Sequence, residues 1–422
     1  MSEERKSRLE ELRAAEAKLL VPTYDRNAVL FERGEGVHLM DENGVRYLDL
    51  LSGIGVNALG YGHPAIERAI AEQSQKLIHT SNLYFHRGQA ELALRLVERT
   101  GLDRVFFANT GTEAWEGALK FARAHAGMLR AEGKPIGRKF LAMEQSFHGR
   151  TYGSVATTHK LKYREPFEPV MPGVEFVRYN DVRDLRTKFS DEVCAVMVES
   201  IQGEGGIRPL SAEFAHAARE LTRTTGALLV VDEIQVGMGR TGRWFGYQHL
   251  GIVPDMTTIA KPLAGGIPLG AIVCTDEVAR AIHPGMHGTT FGGGPLACAV
   301  AIAVIDAIER EGLLTHATEV GGYFQDRLRG LQKRHPSIVE VRGMGLMVAA
   351  ELDSAELGKQ VVQRMLERRI LINCTSETVL RFLPPLVVTK AHVDEVVEAL
   401  DAILSEAVAE NAAQTAGGKS NG

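Results

Sequence analysis

Lys261 follows the apolar run MTTIA and stands before Pro262 and the glycine pair Gly265–Gly266. A lysine in apolar surroundings has a lowered pKa, the condition for a nucleophilic amine or a Schiff base. A lysine snorkelling from a strand end is the plainer alternative. Upstream, Asp232 closes the apolar run ALLVVD, where a carboxylate is costly unless paired. It would hold a protonated ring nitrogen cationic, or act as a cap or in a structural ion pair. Gln235 would reach a neighbouring ring oxygen, or lie at the surface.

The stretch ANTGTEAWEGALKFAR ends a strand near Ala108, turns through Asn109–Thr112 and opens a helix at Glu113. Free amides at such a start form an anion site, and Gly111 admits close approach. Taken alone, the stretch reads more readily as a capped helix start with nothing bound. EQSFHGRT sets Phe147 and His148 before Gly149 and Arg150, an aromatic face beside an arginine. That pair suits a planar ring and a carboxylate, or only a turn. HGTTFGGGPLAC puts Thr289 and Thr290 before three glycines and a helix, a second phosphate-like environment.

These groups need a frame. The runs RVFFAN, KFLAM, VEFVR, CAVMVES, ALLVVDE, MTTIA and GAIVC read as buried strands. Helical patterns over Glu113–Ala126 and Ala212–Thr225 lie between some of them. The alternation predicts an α/β unit with a largely parallel sheet, which binds ligands at the carboxyl ends of its strands. All five chemical stretches fall at loops or strand ends of that unit. Before it come a charged amphipathic helix and a hairpin around Asn43–Gly44. After a long apolar helix near Leu296–Glu311 the chain becomes a smaller α+β unit. The expected division is an N-terminal segment over 1–65, a large domain over 66–305, a small domain over 306–408 and a disordered tail over 409–422.

Composition narrows the classes. The 422 residues are 45% hydrophobic and 24% charged, so wholesale disorder is excluded. With 48 basic and 53 acidic residues the net charge is −5, which gives nucleic-acid binding little support. No run approaches the ~18 apolar residues of a membrane span. No signal peptide is read at the N-terminus, and the four cysteines form no CxxC pair, so no metal site is expected and the expected address is cytoplasmic.

Taken together, these residues resemble those of pyridoxal-phosphate enzymes of fold type I. More narrowly, the chain is similar to the class III (subgroup II) aminotransferases from about Val21 to Leu404. The signature is DEIQVGMGRTGRWFGYQHLGIVPDMTTIAKPLAGGIPLGA, with the Asp232-to-Lys261 spacing intact. Within the class, HTSNLYF, SFHGRT, ESIQGEGG and LRFLPPLVV resemble stretches of acetylornithine aminotransferases. The resemblance implies a large domain with a mainly parallel sheet, a smaller α+β domain, and a pyridoxal 5′-phosphate cofactor. It also implies a homodimer with active sites at the interface.

By position, Lys261 would bind the cofactor as a Schiff base. Asp232 would bond its ring nitrogen and Gln235 its ring hydroxyl. Phe147 and Ile234 would cover the two ring faces. Gly111 and Thr112 would hold the phosphate, and Thr290 would reach the phosphate of the partner subunit. Arg150, assisted by Tyr24, with Asn82 near the same pocket, would hold the carboxylate remote from the reacting amine. Arg381 would receive the α-carboxylate of glutamate, and Glu204 would pair with Arg381 otherwise. Glu199 would be a structural partner nearby.

The implied reaction moves the terminal amine of N-acetylornithine, or a similar ω-amino acid, to 2-oxoglutarate. The place of such a reaction would be arginine biosynthesis. Ornithine, 4-aminobutyrate, succinylornithine and aminoadipate-semialdehyde aminotransferases are the alternatives. Ile54 stands where ornithine enzymes carry Tyr, and favours a neutral or acylated group. Trp115, Gly117, Pro262 and Gly294 depart from the commoner forms of their motifs without removing a catalytic group.

Overall fold

In the computed structural model, the backbone is described for residues 2–417 and the side chains for residues 8–410. The seven apolar runs form one sheet in the order 104–108, 270–274, 256–259, 228–232, 193–199, 139–143, 174–177. Only Gly270–Cys274 runs against its neighbours, Arg104–Ala108 and Met256–Ile259; the other pairings are parallel. Every residue of Val193–Glu199 and Leu228–Asp232 is buried, as a sheet covered on both faces requires. Along Leu228–Asp232 the faces alternate. Leu228 and Val230 enter one core, and Leu229 and Val231 the other.

Helix Gly111–Ala131 fills the first of these cores with Trp115, Ala118, Leu119 and Ala122, the spacing of one helical face. Gly117 lets it lie close, because a Cβ there would meet Ile272 Cδ1 at 2.4 Å. The apolar helix Pro295–Arg310 belongs to the other core, together with Leu92 and Leu96 of helix Arg87–Thr100.

Among the described residues, three smaller sheets accompany this unit. Strands Phe31–Glu35, His38–Asp41 and Arg46–Asp49 form an antiparallel set. Asp41 Oδ1 accepts from the amides of Asn43 (2.8 Å) and Val45 (2.9 Å) in the turn between the last two strands. The C-terminal strand Ile370–Leu371 pairs parallel with Arg46–Asp49, so the two ends of the chain share a sheet. Strands Ile338–Met344, Met347–Leu352, Val379–Phe382 and Asn373–Thr375 form a four-stranded antiparallel sheet. Ile201–Gln202 and Arg208–Pro209 form a short ribbon around the Gly203–Gly206 turn.

At the ends of the chain the expected N-terminal helix forms, and the expectation for the tail needs correction. The N-terminal helix forms over Ser2–Leu19, but only Leu9 and Glu16 of residues 8–20 are half-buried. Its Leu9 and Leu12, with Leu20 just past its end, line an open groove. The tail expected to lack structure from 409 continues the last helix, which spans Lys390–Gly417; residues 418–422 lie outside the described residues.

Candidate active site

A cavity of about 420 Å³ opens at the carboxyl ends of the parallel strands. Asp232 is the last residue of its strand and is 4% exposed. Both its oxygens are engaged. Oδ1 accepts from the Ile234 amide (3.0 Å) and the Thr258 hydroxyl (3.3 Å), and Oδ2 lies 2.7 Å from His148 Nδ1. Lys261 comes just past the next strand, Met256–Ile259, and starts a short 3₁₀ turn. Its φ is +38°, in the left-handed region that side-chain-bearing residues seldom adopt. Such strain gathers at functional sites. Burial lowers the Lys261 pKa, partly offset by the carboxylates of Asp232 and Glu204.

Across the cavity, Thr110 caps helix Gly111–Ala131 by accepting the Glu113 amide, and Gly111 and Thr112 occupy the first turn. Amides of a first turn have no intrahelical acceptor and suit an anion. Thr112 Oγ1 is 2.9 Å from both Thr151 Oγ1 and Ser154 Oγ. Phe147, Ile234 and Gln235 also line the cavity. The donor set fits pyridoxal phosphate: an amine for its aldehyde, a buried carboxylate for its ring nitrogen, apolar walls for its ring, and a helix start for its phosphate.

The substrate side is built differently. Glu204 sits on the glycine-rich turn, and Arg381, 1% exposed, on strand Val379–Phe382. The Arg381 guanidinium donates to Glu204 Oε1 and to Gln235 Oε1 (3.4 Å), and its Nε donates to Asn373 Oδ1 (3.1 Å). Burial pushes the Glu204 carboxyl up, but Arg381 outweighs it and holds the group below the usual carboxylate value. The turn lies close against Gln235, since a Cβ on Gly203 would fall 2.1 Å from its Oε1.

Glu199 ties the two sides together, accepting from the Phe147 amide (3.0 Å) and the Gly203 amide (3.1 Å). Burial and the neighbouring Asp232 raise its pKa to about 8. Arg150 lines the cavity with its guanidinium 3.7 Å from the Tyr163 ring centroid and 5.6 Å from that of Phe147.

Three expected site residues lie elsewhere in this chain. Tyr24 is exposed and lines the groove beside the N-terminal helix. Asn82 donates to the carbonyls of Thr289 (3.2 Å) and Gly292 (3.1 Å), beside Thr290. Asn82 and Thr290 do not line the cavity, and the cluster joins its lining through Asn109, which donates to Thr289 Oγ1 (2.8 Å). Sequence reading missed the pairing of His148 with Asp232 and the hold of Asn373 on Arg381. The first left no periodic signal, because His148 lies in irregular backbone after the strand Lys139–Met143 and meets Asp232 only in the folded cavity.

A mainly parallel sheet, a lysine and a carboxylate at its strand ends, and an anion-ready helix start define a pyridoxal-phosphate enzyme of fold type I. The family model for class-III aminotransferases matches residues 21–404, and the chain belongs to that family. It is similar to the acetylornithine aminotransferase of Methanocaldococcus jannaschii, with 46% identity over 392 residues, 93% of this chain and 97% of that one. Among solved structures, it resembles the ornithine aminotransferase of Toxoplasma gondii, with a TM-score of 0.91 and 34% identity, covering 95% of this chain and 96% of that one. A second structure of that enzyme, with a TM-score of 0.89, 34% identity and 94% of each chain covered, is described with partial occupancy of PLP at the active site. The chain is a pyridoxal-phosphate-dependent aminotransferase.

Proposed function

We propose that the chain transfers the terminal amine of N-acetylornithine, or a closely similar acylated ω-amino acid, to 2-oxoglutarate. The products are a semialdehyde and glutamate. The observation that carries this reading is the Glu204–Arg381 pair at a cavity that also holds Lys261 and Arg150. Similarity to acetylornithine aminotransferases over more than nine-tenths of the chain supports it.

Bound pyridoxal phosphate supplies an electron sink for charge developing on the substrate carbon. Asp232 keeps the ring nitrogen protonated, and two donors plus His148 hold the carboxylate in place. Lys261 would hold the cofactor through its amine and would be the group that moves a proton at the substrate carbon, and burial lowers its pKa. Phe147 and Ile234 exclude water from the ring faces.

Arg150 holds the substrate's distal carboxylate in both half-reactions. With the acylated amine bound, Glu204 neutralises Arg381. With glutamate bound, the α-carboxylate takes the place of Glu204. Gln235 and Asn373 keep the guanidinium oriented in both states. Thr290 serves the cofactor phosphate of a second subunit, which makes the working unit a homodimer, and we assign the enzyme to the cytoplasm and to arginine biosynthesis.

Ornithine is the second reading, favoured by the backbone likeness to the Toxoplasma enzyme. Purified enzyme offered N-acetylornithine, ornithine, succinylornithine and 4-aminobutyrate with 2-oxoglutarate decides between them. The proposal expects kcat/KM to be highest for the acetylated donor; a preference for free ornithine overturns it.

A further inference from the structure

Trp115 is the largest fully buried side chain, one turn into the helix that opens at Gly111. Its indole lies flat on the His148 imidazole, with ring centroids 3.8 Å apart and planes 7° from parallel. The indole N–H donates to Thr157 Oγ1 at 2.8 Å, and that hydroxyl also lies 3.0 Å from the Ser154 carbonyl. The indole plane is thus fixed from both ends: by its helix and by Thr157.

His148 needs such a support. Its side chain is fully buried, its Nδ1 faces Asp232 Oδ2 at 2.7 Å, and its Nε2 has no hydrogen-bond partner. One polar contact does not fix a ring that turns about Cβ–Cγ. The stacked indole face fixes the plane in which Nδ1 meets Oδ2. Aromatic pairs prefer offset or edge arrangements but gain beyond their buried area when well packed, and both rings here are enclosed.

We infer that Trp115 is a positioning residue for the reaction. Through the stacked face it orients His148, and through His148 it sets the direction of the Asp232 carboxylate toward the cofactor's ring nitrogen. The inference rests on the aminotransferase reading above. It differs from a packing role because the effect passes through the His148–Asp232 contact. Any orientation lost at Asp232 weakens proton transfer in both half-reactions, since both use the same ring nitrogen. Substrate affinity, set by Arg150 and Arg381, stays unchanged.

The test compares holoenzymes of the wild type, Trp115→Leu and Trp115→Phe. Rapid-mixing kinetics give the rate constant and substrate affinity of each half-reaction. Proton NMR follows the downfield N–H of His148, assigned by its loss in His148→Asn. The Leu variant is expected to slow both half-reactions about tenfold (~1.4 kcal/mol). Its substrate affinities should hold, and its His148 N–H signal should shift or broaden away. The Phe variant, keeping a ring face, should stay within about threefold of wild type (under ~0.7 kcal/mol) and keep the signal.

A Leu variant with wild-type rates and signal overturns the inference, even if it melts at a lower temperature. So does a Phe variant that loses as much rate as Leu. Should the Leu variant not fold, Thr157→Val, which frees the indole N–H, must weaken the His148 signal and slow both half-reactions together, or the inference fails. Failure of the underlying reading looks different: the wild type itself would show no visible band of lysine-bound cofactor and no amine transfer.

Discussion

The two sides of the cavity are assembled by different means. The cofactor side is made of strand ends and a helix start within one sheet unit: Asp232, Lys261, Gly111 and Thr112 are carried by elements whose positions follow from parallel pairing and two buried cores. The substrate side joins distant pieces. Glu204 sits on a turn of the short ribbon and Arg381 on the antiparallel sheet, and a side-chain ion pair bridges them. The first arrangement suits chemistry that is the same in every turnover. The second suits a site that must accept two substrates of different charge, because a side-chain pair can open while the sheets stay in place.

Damage to the cofactor side should therefore stop both half-reactions, and damage to the substrate side should unbalance them. Lys261→Ala is the strongest case. It should abolish steady-state turnover and the visible absorption of lysine-bound cofactor, roughly 410–430 nm by general cofactor chemistry. Normal turnover in this variant would remove Lys261 from the mechanism. Asp232→Asn comes next. It should leave folding largely intact and slow proton transfer by several orders of magnitude, because a neutral pyridine is a poor electron sink and the charge sits in a dry site. A single-turnover change below about tenfold (~1.4 kcal/mol) would mean another role for Asp232.

Glu204→Ala should act asymmetrically. With Arg381 permanently uncovered, glutamate and 2-oxoglutarate should bind as well as before or better. An acylated ornithine should then place its α-carboxylate on Arg381, and its productive binding should fall. Removing one member of a buried charge pair shifts energies by about 2–5 kcal/mol, large enough to read in half-reaction kinetics. Arg381→Ala should do the reverse and harm the glutamate half-reaction more. Equal damage to both half-reactions in both variants would erase the distinction between the two sides.

The same contrast explains what the sequence disclosed. The strands around Asp232 and Lys261 were legible because each is a short, mostly apolar run with a charged residue at or just past its end, a local pattern. The sheet order was less so, because pairing partners such as Val193–Glu199 and Leu228–Asp232 are set by tertiary packing. Phe147 was visible in its motif, but the Trp115–His148–Asp232 contact joins three elements and leaves no pattern in any one of them. Asn373 was hidden for the same reason, since it meets Arg381 only through antiparallel register. The N-terminal helix shows the opposite case. Its leucines repeat at helical spacing, yet within this chain they face an open groove, because spacing states which residues share a face and not what covers it.

The smallest effect expected concerns the Glu204–Arg381 pair and pH. Arg381 holds the Glu204 carboxyl below its ordinary value of 4.5 in the folded protein. A depressed folded pKa means that the unfolded chain takes up the proton first as pH falls, so the stabilisation is complete above the unfolded value and drains away as pH drops through the folded one. Glu204→Gln keeps the shape and an acceptor oxygen but removes the charge. Wild type should therefore be more stable than this variant by a constant amount from about pH 8 to about pH 6, on the order of 1.5–3 kcal/mol for a hydrogen bond to a charged group. The gap should shrink steadily below about pH 4.5 as Glu204 takes up its proton. Burial opposes the ion pair, which is why the gap stays modest although the contact is short. Urea unfolding across this range, with cofactor kept saturating so that its own binding contributes equally, reads the difference directly. A gap that holds constant into acid, or widens there, would show that Glu204 is not held as a charged partner of Arg381, and the substrate side would then lack the charge exchange that separates it from the cofactor side.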